Sequence, residues 1–170
     1  MRLAAAAIGA VPIADVPSFL EQARERCARL GSDYGSWLFL PQLLTPSSVV
    51  YSVGIGTDVS WDLEVIRTVG CDVHGFDDTP VSNRWYDTVR NRSLGKPLSK
   101  DPAFAKFHRH KFVLAATNEV VELDLPTGHG ASWASVTAGG AKGFAGSRHM
   151  AAGRTLGYLM KMLGHSRSGV

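Results

Sequence analysis

Hydrophobic positions along the chain change their spacing in a way that predicts alternating strands and helices. A continuous β-prone run is typical of a strand covered on both faces. Apolar residues three and four positions apart are typical of a helix. The central part of the chain accordingly predicts strand 49–53, a helix with Leu63, Ile66 and Val69 on one face, strand 71–76, a helix around Trp85, and strand 112–116. Strand, helix, strand, helix, strand is the order of a parallel sheet with flanking helices, so the fold class is α/β.

The flanking segments have patterns of their own. Ser18 and Glu21 form a capping box that predicts a helix ending at Gly31. Residues 33–44 are aromatic and contain a proline, which predicts an irregular lid or a short helix. We therefore divide the chain into residues 1–45, an N-terminal helix and lid-like segment, and residues 46–170, the sheet domain.

The C-terminal part of the chain carries weaker signals. Residues 121–125 alternate between apolar and polar, which predicts a half-exposed strand, and residues 132–137 are a candidate hairpin partner. The surrounding segment 127–150 is rich in glycine, serine and alanine and has no clear period. Thr155 is expected to cap a last helix that Gly164 terminates.

A glycine-rich turn after the first predicted strand is the strongest functional signal. Gly54 and Gly56 lie between a strand and a helix, where missing Cβ atoms allow a cofactor to approach the backbone. Asp77 follows the second strand, 21 residues after Gly56, close to the ~20-residue spacing of an acid that accepts ribose hydroxyls. A Rossmann-like cofactor site is predicted. The alternative is a purely structural turn, with Asp77 capping the next helix.

The residues after Gly56 decide between cofactors. Thr57, Asp58 and Val59 follow, so the third glycine of a dinucleotide fingerprint is missing. A pyrophosphate would also meet the negative charge of Asp58. The ammonium or sulfonium group of S-adenosylmethionine would instead be attracted by it. Charge therefore favours S-adenosylmethionine over NAD.

Residues 49–80, VVYSVGIGTDVSWDLEVIRTVGCDVHGFDDTP, resemble the core of FkbM-like and methyltransferase-like proteins. That family has a VYS-G-GED-SFDL stretch followed by GC-VHAFDPTP. The resemblance implies a Rossmann-like class I methyltransferase fold that uses S-adenosylmethionine. It also implies that Gly54, Gly56 and Asp58 line the methionine part and that Asp77 binds the ribose. The chain departs from the family at three positions: Thr57 stands in place of an acid, Trp61 in place of phenylalanine, and Asp78 in place of proline.

The end of the chain also differs from the family. Its members continue after the Leu-Gly-His sequence at 163–165 into a strand with an LK-DIEG-like motif, whereas residues 166–170 read SRSGV. This difference predicts a truncated or divergent member whose sheet is incomplete at the C-terminal side. The strand at 49–53 would then form an open edge, and we expect self-association through it.

Other candidate chemistry is less specific. His108 and His110 share one face of an extended segment, as zinc ligands could, but a solvated strand entry is the favoured interpretation. A hydroxyl acceptor would benefit from a base, for which Asp58, His110 and His129 are candidates. No particular catalytic residue follows, and no metal site is predicted.

The composition limits the classes of partner that the chain is expected to bind. The chain has 18 basic and 15 acidic residues, and this net charge of +3 is too small to indicate nucleic acid. No apolar run reaches the ~20 residues of a membrane helix, and the alanine-rich N-terminus is too short to favour a secretory signal, so a cytoplasmic location is favoured. No acidic residue follows Asp124 although five basic ones do, which suggests an anionic partner or a missing acidic segment.

Two functions follow as hypotheses. The first is an S-adenosylmethionine-dependent methyltransferase that O-methylates a small metabolite or sugar hydroxyl. The second is a catalytically inactive remnant or an interaction module, which the absent DIEG-like strand favours.

Overall fold

A computed structural model of the chain describes residues 26–91, 100–126, 135–136 and 146–165. The architecture is mixed α/β, with a parallel sheet, flanking helices and a second, largely antiparallel sheet. The strands are β1 (Ala28–Leu30), β2 (Trp37–Phe39), β3 (Val49–Val53), β4 (Asp72–Phe76), β5 (Phe107–His110), β6 (Val113–Leu114), β7 (Val120–Pro126), β8 (Ser135–Val136) and β9 (Gly146–Arg154). The helices are α1 (Ser60–Val69), α2 (Pro80–Asn91) and α3 (Leu156–Met162), with 3-10 turns at Pro41–Leu43 and Pro102–Lys106.

The parallel sheet has the strand order β3-β4-β5, with Tyr51 opposite His74 and His74 opposite His108. The predicted strands at 49–53 and 71–76 are confirmed by β3 and β4, and α1 ends at Gly70 with a left-handed φ of 78°. The strand predicted at 112–116 is present as the two-residue β6, but its assignment to the parallel sheet is wrong, because β6 pairs with β9. The third parallel strand is β5, in which Phe107 is buried. The other three residues of its FHRH sequence are polar, so it lacks the apolar run of a predicted strand.

The main core lies on one face of this sheet. Leu63, Val65 and Ile66 of α1 pack in one buried cluster with Val73 of β4 and Phe107 of β5. Gly75 permits this packing, because a Cβ there would come within 2.7 Å of the Phe107 ring. This packing holds α1 directly after the glycine turn, so that its N-terminus lies at the carboxyl ends of β3 and β4.

The second sheet has the order β6-β9-β7-β8. The strand predicted at 121–125 is confirmed by β7, and β8 confirms its hairpin partner within 132–137. The long strand β9 was not predicted, because glycine, serine and alanine give it no hydrophobic period. Its pairing with β7 also neutralises part of the basic C-terminal charge, since Arg148 lies 3.4 Å from Glu122 and 3.7 Å from Asp124.

The N-terminal segment differs from its prediction. The expected helix that ends at Gly31 is contradicted at residues 28–30, which form β1 and pair with β2 in an antiparallel hairpin. Ser18 and Glu21 lie outside the described residues. The segment 33–44 contains β2 and a 3-10 turn, so the expected short helix is confirmed only at Pro41–Leu43.

The last helix agrees with its prediction. The Thr155 hydroxyl accepts a hydrogen bond from the Tyr158 amide and caps α3, and Gly164 follows with φ 73°. His165 then returns to the sheet, where its Nδ1 lies 2.6 Å from the Tyr51 hydroxyl. Within the described ranges, no helix is long and apolar enough to cross a membrane.

Candidate cofactor-binding site

A cleft of about 490 Å³ opens where β3 and β4 end. All four residues predicted to bind a cofactor line it: Gly54, Gly56, Asp58 and Asp77. The other lining residues are Tyr34, Gly35, Trp37, Ser52, Val53, Ile55, Thr57, Trp61, Asp62, Thr79 and Leu123. Its walls therefore come from the parallel sheet, α1, the N-terminal hairpin and β7.

The glycine turn forms the floor of the cleft. Gly54 and Gly56 have φ values of 75° and 56°, a region that other residues rarely adopt. The Gly54 amide donates to the Phe76 carbonyl at 2.8 Å, which holds the turn beside the end of β4. A Cβ on Gly54 would meet no protein atom within 4 Å, so this position faces open space in the cleft.

Asp77 connects the glycine turn to the start of α2. Its Oδ2 accepts a 2.8 Å hydrogen bond from the Gly56 amide. Its Oδ1 accepts from both the amide and the hydroxyl of Thr79, each at 2.7 Å. The side chain is only 4% exposed and lines the cleft. The capping role weighed for Asp77 is performed by Thr79, whose hydroxyl accepts from the Ser82 amide at 3.4 Å in the first turn of α2. Asp77 holds Thr79 in place and also lines the cleft in which a ribose is predicted.

Asp58 fastens the N-terminal hairpin to the start of α1. Its Oδ2 accepts from the Ser32 hydroxyl at 2.5 Å, and its Oδ1 accepts from the Ser60 amide at 2.8 Å. Burial raises the pKa of Asp58, but the hydrogen bonds from Ser32 and Ser60 outweigh it and hold the pKa below its ordinary value. Asp58 is therefore an ionised group with both oxygens occupied.

Asp62 is a cleft residue that the sequence analysis did not select. It lies in the first turn of α1 and is 3% exposed, and its Oδ1 has no hydrogen-bond partner among the described residues. Burial is the main cause that raises the pKa of Asp62 to about 6, and the negative charge of Asp58 raises it as well. A hydrogen bond with Ser52 lowers this pKa, but by less than burial raises it. The available signal was an acid on the apolar face of a helix, four positions before Ile66.

The preceding residue also has an unpartnered polar atom. The Nε1 of Trp61 is buried without a hydrogen-bond acceptor in the described part of the chain, and Trp61 lines the same cleft. Arg109 Nε and His149 Nε2, which belong to residues outside the cleft lining, are buried without a partner among the described residues as well.

The charge of the cleft is entirely negative. Asp58, Asp62 and Asp77 line it, and none of its described lining residues is lysine, arginine or histidine. Arg109 lies nearby, but its Nη2 donates to Asn83 at 2.5 Å and to the Asp77 carbonyl at 3.2 Å, and its guanidinium stacks on Tyr86. A positively charged occupant is favoured, and a pyrophosphate would lack a cationic partner.

The hairpin and the second sheet close the cleft from outside. The Gly31 amide donates to Glu64 at 2.8 Å, and the Ser32 amide donates to Ser60 at 2.8 Å, so the hairpin loop is tied to α1. Trp37 on β2 lines the cleft and is 70% exposed. Sequence patterns missed this wall because the contacts join residues about 30 positions apart.

The histidine candidates lie elsewhere. His108 and His110 do share one sheet face, with His74 between them: His74 Nδ1 lies 2.9 Å from His110 Nε2, and His108 pairs with Asp72 at 2.8 Å. Burial and the neighbouring histidines lower the pKa of His74 to about 4, which keeps it neutral. Among the described residues, no three His, Cys, Asp or Glu side chains form a metal-binding group. His110 does not line the cleft, and His129 lies outside the described residues.

The chain was also compared with known proteins. No family model, curated protein or solved structure matches it.

Proposed function

We propose that the chain is a Rossmann-like class I methyltransferase domain that binds S-adenosylmethionine in this cleft. One observation carries the proposal: a glycine turn at the ends of two parallel strands opens into a cleft lined by three carboxylates and no described cationic side chain. S-adenosylmethionine carries two positive groups, the sulfonium and the ammonium, and one negative group, its carboxylate. Its net charge is therefore positive and suits this cleft. In open α/β sheets, ligands bind outside the carboxyl ends of the strands.

The proposed reaction is O-methylation of a small metabolite or sugar hydroxyl. The acceptor oxygen forms a bond to the methyl carbon while the carbon–sulfur bond breaks, and the sulfonium becomes a neutral thioether. The hydroxyl proton leaves to a base or to water. Alignment of the acceptor with the methyl group supplies most of the rate enhancement in such a transfer. The exposed face of Trp37 at the cleft offers an apolar surface for an acceptor.

Cofactor binding is tested by adding one methyl group to the floor of the cleft. Gly54→Ala places a Cβ in open cleft space, so we expect it to weaken binding of S-adenosylhomocysteine, the demethylated product, at least about tenfold by excluding the ligand sterically. Isothermal titration calorimetry measures the effect. Gly164→Ala is the matched control, because Gly164 has a similar φ of 73°, an equally open Cβ position and no place in the cleft.

The same titration compares cofactors. S-adenosylhomocysteine should bind the wild-type chain more tightly than NAD does. Tighter binding of NAD would show that the cofactor assignment is wrong, and equal affinities in the two glycine variants would show that the turn is only structural.

The open edge of the parallel sheet supports a second candidate, an interaction module. Among the described residues β3 pairs only with β4, and Val49 and Val53 on β3 are 38% and 51% exposed. Unpaired strand edges invite pairing with another chain. We propose a second copy of this chain as the occupant of the edge.

Sedimentation velocity tests the edge. The wild-type chain should show a concentration-dependent dimer, and Val49→Lys should shift it to monomer, because an edge lysine opposes strand pairing. Val120→Lys, at an exposed position of the second sheet, is the control and should leave the dimer intact. A wild-type chain that stays monomeric at all concentrations excludes this candidate.

A further inference from the structure

Four histidines lie together on the face of the parallel sheet that is turned away from the α1 core. Side chains alternate along a strand, so Val73 packs in the buried cluster with α1 whereas His74 lies on the opposite face. The ring centroids of His108, His110 and His165 lie 4.7, 5.2 and 4.8 Å from that of His74. We call these four residues the histidine cluster, and none of the four lines the cleft.

One hydrogen bond in the histidine cluster requires a neutral ring. His74 Nδ1 lies 2.9 Å from His110 Nε2. One of these two nitrogens must lack a proton so that it can accept from the other, and this bond is lost when both rings are charged. The two rings are also stacked with their centroids 5.2 Å apart, so two charges there would repel each other. The cluster is therefore compatible with the neutral pair and not with the charged pair.

His165 connects the cluster to the last helix, α3. Its amide donates to the Met160 carbonyl at 2.8 Å, which fixes it against the final turn of α3. Its Nδ1 lies 2.6 Å from the Tyr51 hydroxyl on β3, and its ring meets His74 edge-on. An isolated helix of seven residues is marginal at best in water. The helical state of α3 therefore depends on its docking, to which His165 contributes.

We propose that the histidine cluster is an acid-sensitive latch, which holds α3 on the parallel sheet at neutral pH and releases it when acid charges His74 and His110. Release lets water reach the charged rings, while the α1 core lies on the other face of the sheet and stays packed. The released helix remains joined to β9, which pairs with the strand that carries Leu123 of the cleft wall. The latch does not require an occupant of the cleft.

The pKa values of two histidines set the direction and the range of this switch. Burial, and then the charges of the three neighbouring histidines, lower the pKa of His74 to about 4. Burial is also the main cause that lowers the pKa of His110. A solvated histidine has a pKa of ~6.5, so release of α3 takes up protons. The docked state is fully favoured above about pH 6.5 and loses stability as the pH falls from there towards 4.

Other titratable groups border the cluster on each strand. On β4 and β5, Asp72 pairs with His108 at 2.8 Å, and the positive charge of Lys106 lies near this pair. The hydrogen bond from His108 lowers the pKa of Asp72, so this carboxylate stays ionised and compensates a charge on His108. On β3, burial raises the pKa of the Tyr51 hydroxyl, which stays neutral. The acid-sensitive rings are therefore His74 and His110.

An NMR titration of the full chain from pH 7.5 to pH 4 tests the latch. Backbone chemical shifts of residues 156–162 report α3, those of residues 60–69 report α1, and imidazole carbon shifts report the charge of each histidine. We expect α3 to lose its helical shifts while α1 keeps them, with His74 and His110 becoming charged in the same step. Two linked protons make this step steep, up to about a 100-fold change in the ratio of docked to released protein per pH unit.

His74→Phe removes one of the two linked protons and keeps a ring that stacks. Release of α3 should then move to lower pH by about one unit and change the ratio by no more than about tenfold per pH unit. His110→Phe carries the same expectation and serves if His74→Phe does not fold. His149→Phe is the matched control, because His149 lies on β9 opposite Leu123 and outside the cluster. Its transition should equal that of the wild type.

Three results would overturn the latch. Simultaneous loss of α1 and α3 in the wild-type chain would show general acid unfolding, and helical α3 shifts that persist to pH 4 would show that acid does not release the helix. Release at the wild-type midpoint in the folded histidine variants, or with His74 and His110 still neutral in the wild-type chain, would show that the histidine cluster does not control α3.

Discussion

Asp77→Ala is expected to lower the free energy of unfolding by at least about 3 kcal/mol, because hydrogen bonds to charged groups contribute ~1.5–3 kcal/mol and deletion leaves three buried donors unsatisfied. The carboxylate is 4% exposed and accepts from the Gly56 amide and from two donors of Thr79. Urea unfolding followed by circular dichroism at pH 7.5 measures the loss. Binding of S-adenosylhomocysteine should weaken as well, because the glycine turn loses its anchor.

Asp78→Ala is the control for this prediction. Asp78 is the adjacent acid, but it is only partly buried and its Oδ1 accepts a single 3.2 Å hydrogen bond from Asn83. Its removal should cost at most about 1 kcal/mol, because it frees only one donor, on the partly buried Asn83, which water can satisfy. Equal losses in the two variants would mean that Asp77 does not anchor the turn.

Asp62→Asn is expected to have the opposite effect on the empty protein, raising its free energy of unfolding by about 3 kcal/mol at pH 8. Burial raises the pKa of Asp62 from 3.8 to about 6 in the folded protein. A carboxyl whose pKa is higher when folded destabilises the fold as pH rises from about 4 to 6, and the full cost persists above that range. Asparagine removes this cost.

The pH dependence of the difference is the test. At pH 5 the stabilising effect of Asp62→Asn should fall to about half of its value at pH 8, since the wild-type carboxyl is then mostly protonated. Comparison of the two proteins at each pH cancels the titration of His74 and the other histidines, which both contain. A difference that does not change with pH would show that Asp62 ionises as freely as in the unfolded chain.

The local elements of the parallel sheet could be predicted from the sequence because each has its own signal. The strand at 49–53, the helix ended by Gly70 and the capped helix after Thr155 depend on residues within a few positions of one another. The strand β9 and the hairpin β1–β2 depend instead on pairing partners. Ala28–Leu30 forms β1 because it pairs with Trp37–Phe39, although its apolar spacing is helical.

The same distinction applies to the candidate site. Gly54, Gly56, Asp58 and Asp77 could be selected because a strand, a turn and a helix surround them in sequence, and all four line one cleft. Their roles as cofactor ligands stay predictions. Asp62 could not be selected from the sequence, because its burial depends on the walls of the cleft. Those walls come from residues as distant as Trp37 and Leu123.

The position of Leu123 in the cleft wall has a consequence for the rate at which the site forms. The unit β3–α1–β4 pairs residues 23 positions apart, from Val49 with Asp72 to Val53 with Phe76. Leu123 lies 46 positions after Asp77, the other cleft residue to which it must come close, and contacts of larger sequence separation form later in folding. Leu123 belongs to β7, which pairs with β9, where its partner is His149. The chain between Asp77 and Leu123 has to close before this wall of the cleft is in place. In a refolding experiment, circular dichroism will therefore recover before ligand binding does, and the delay will measure the assembly of the second sheet.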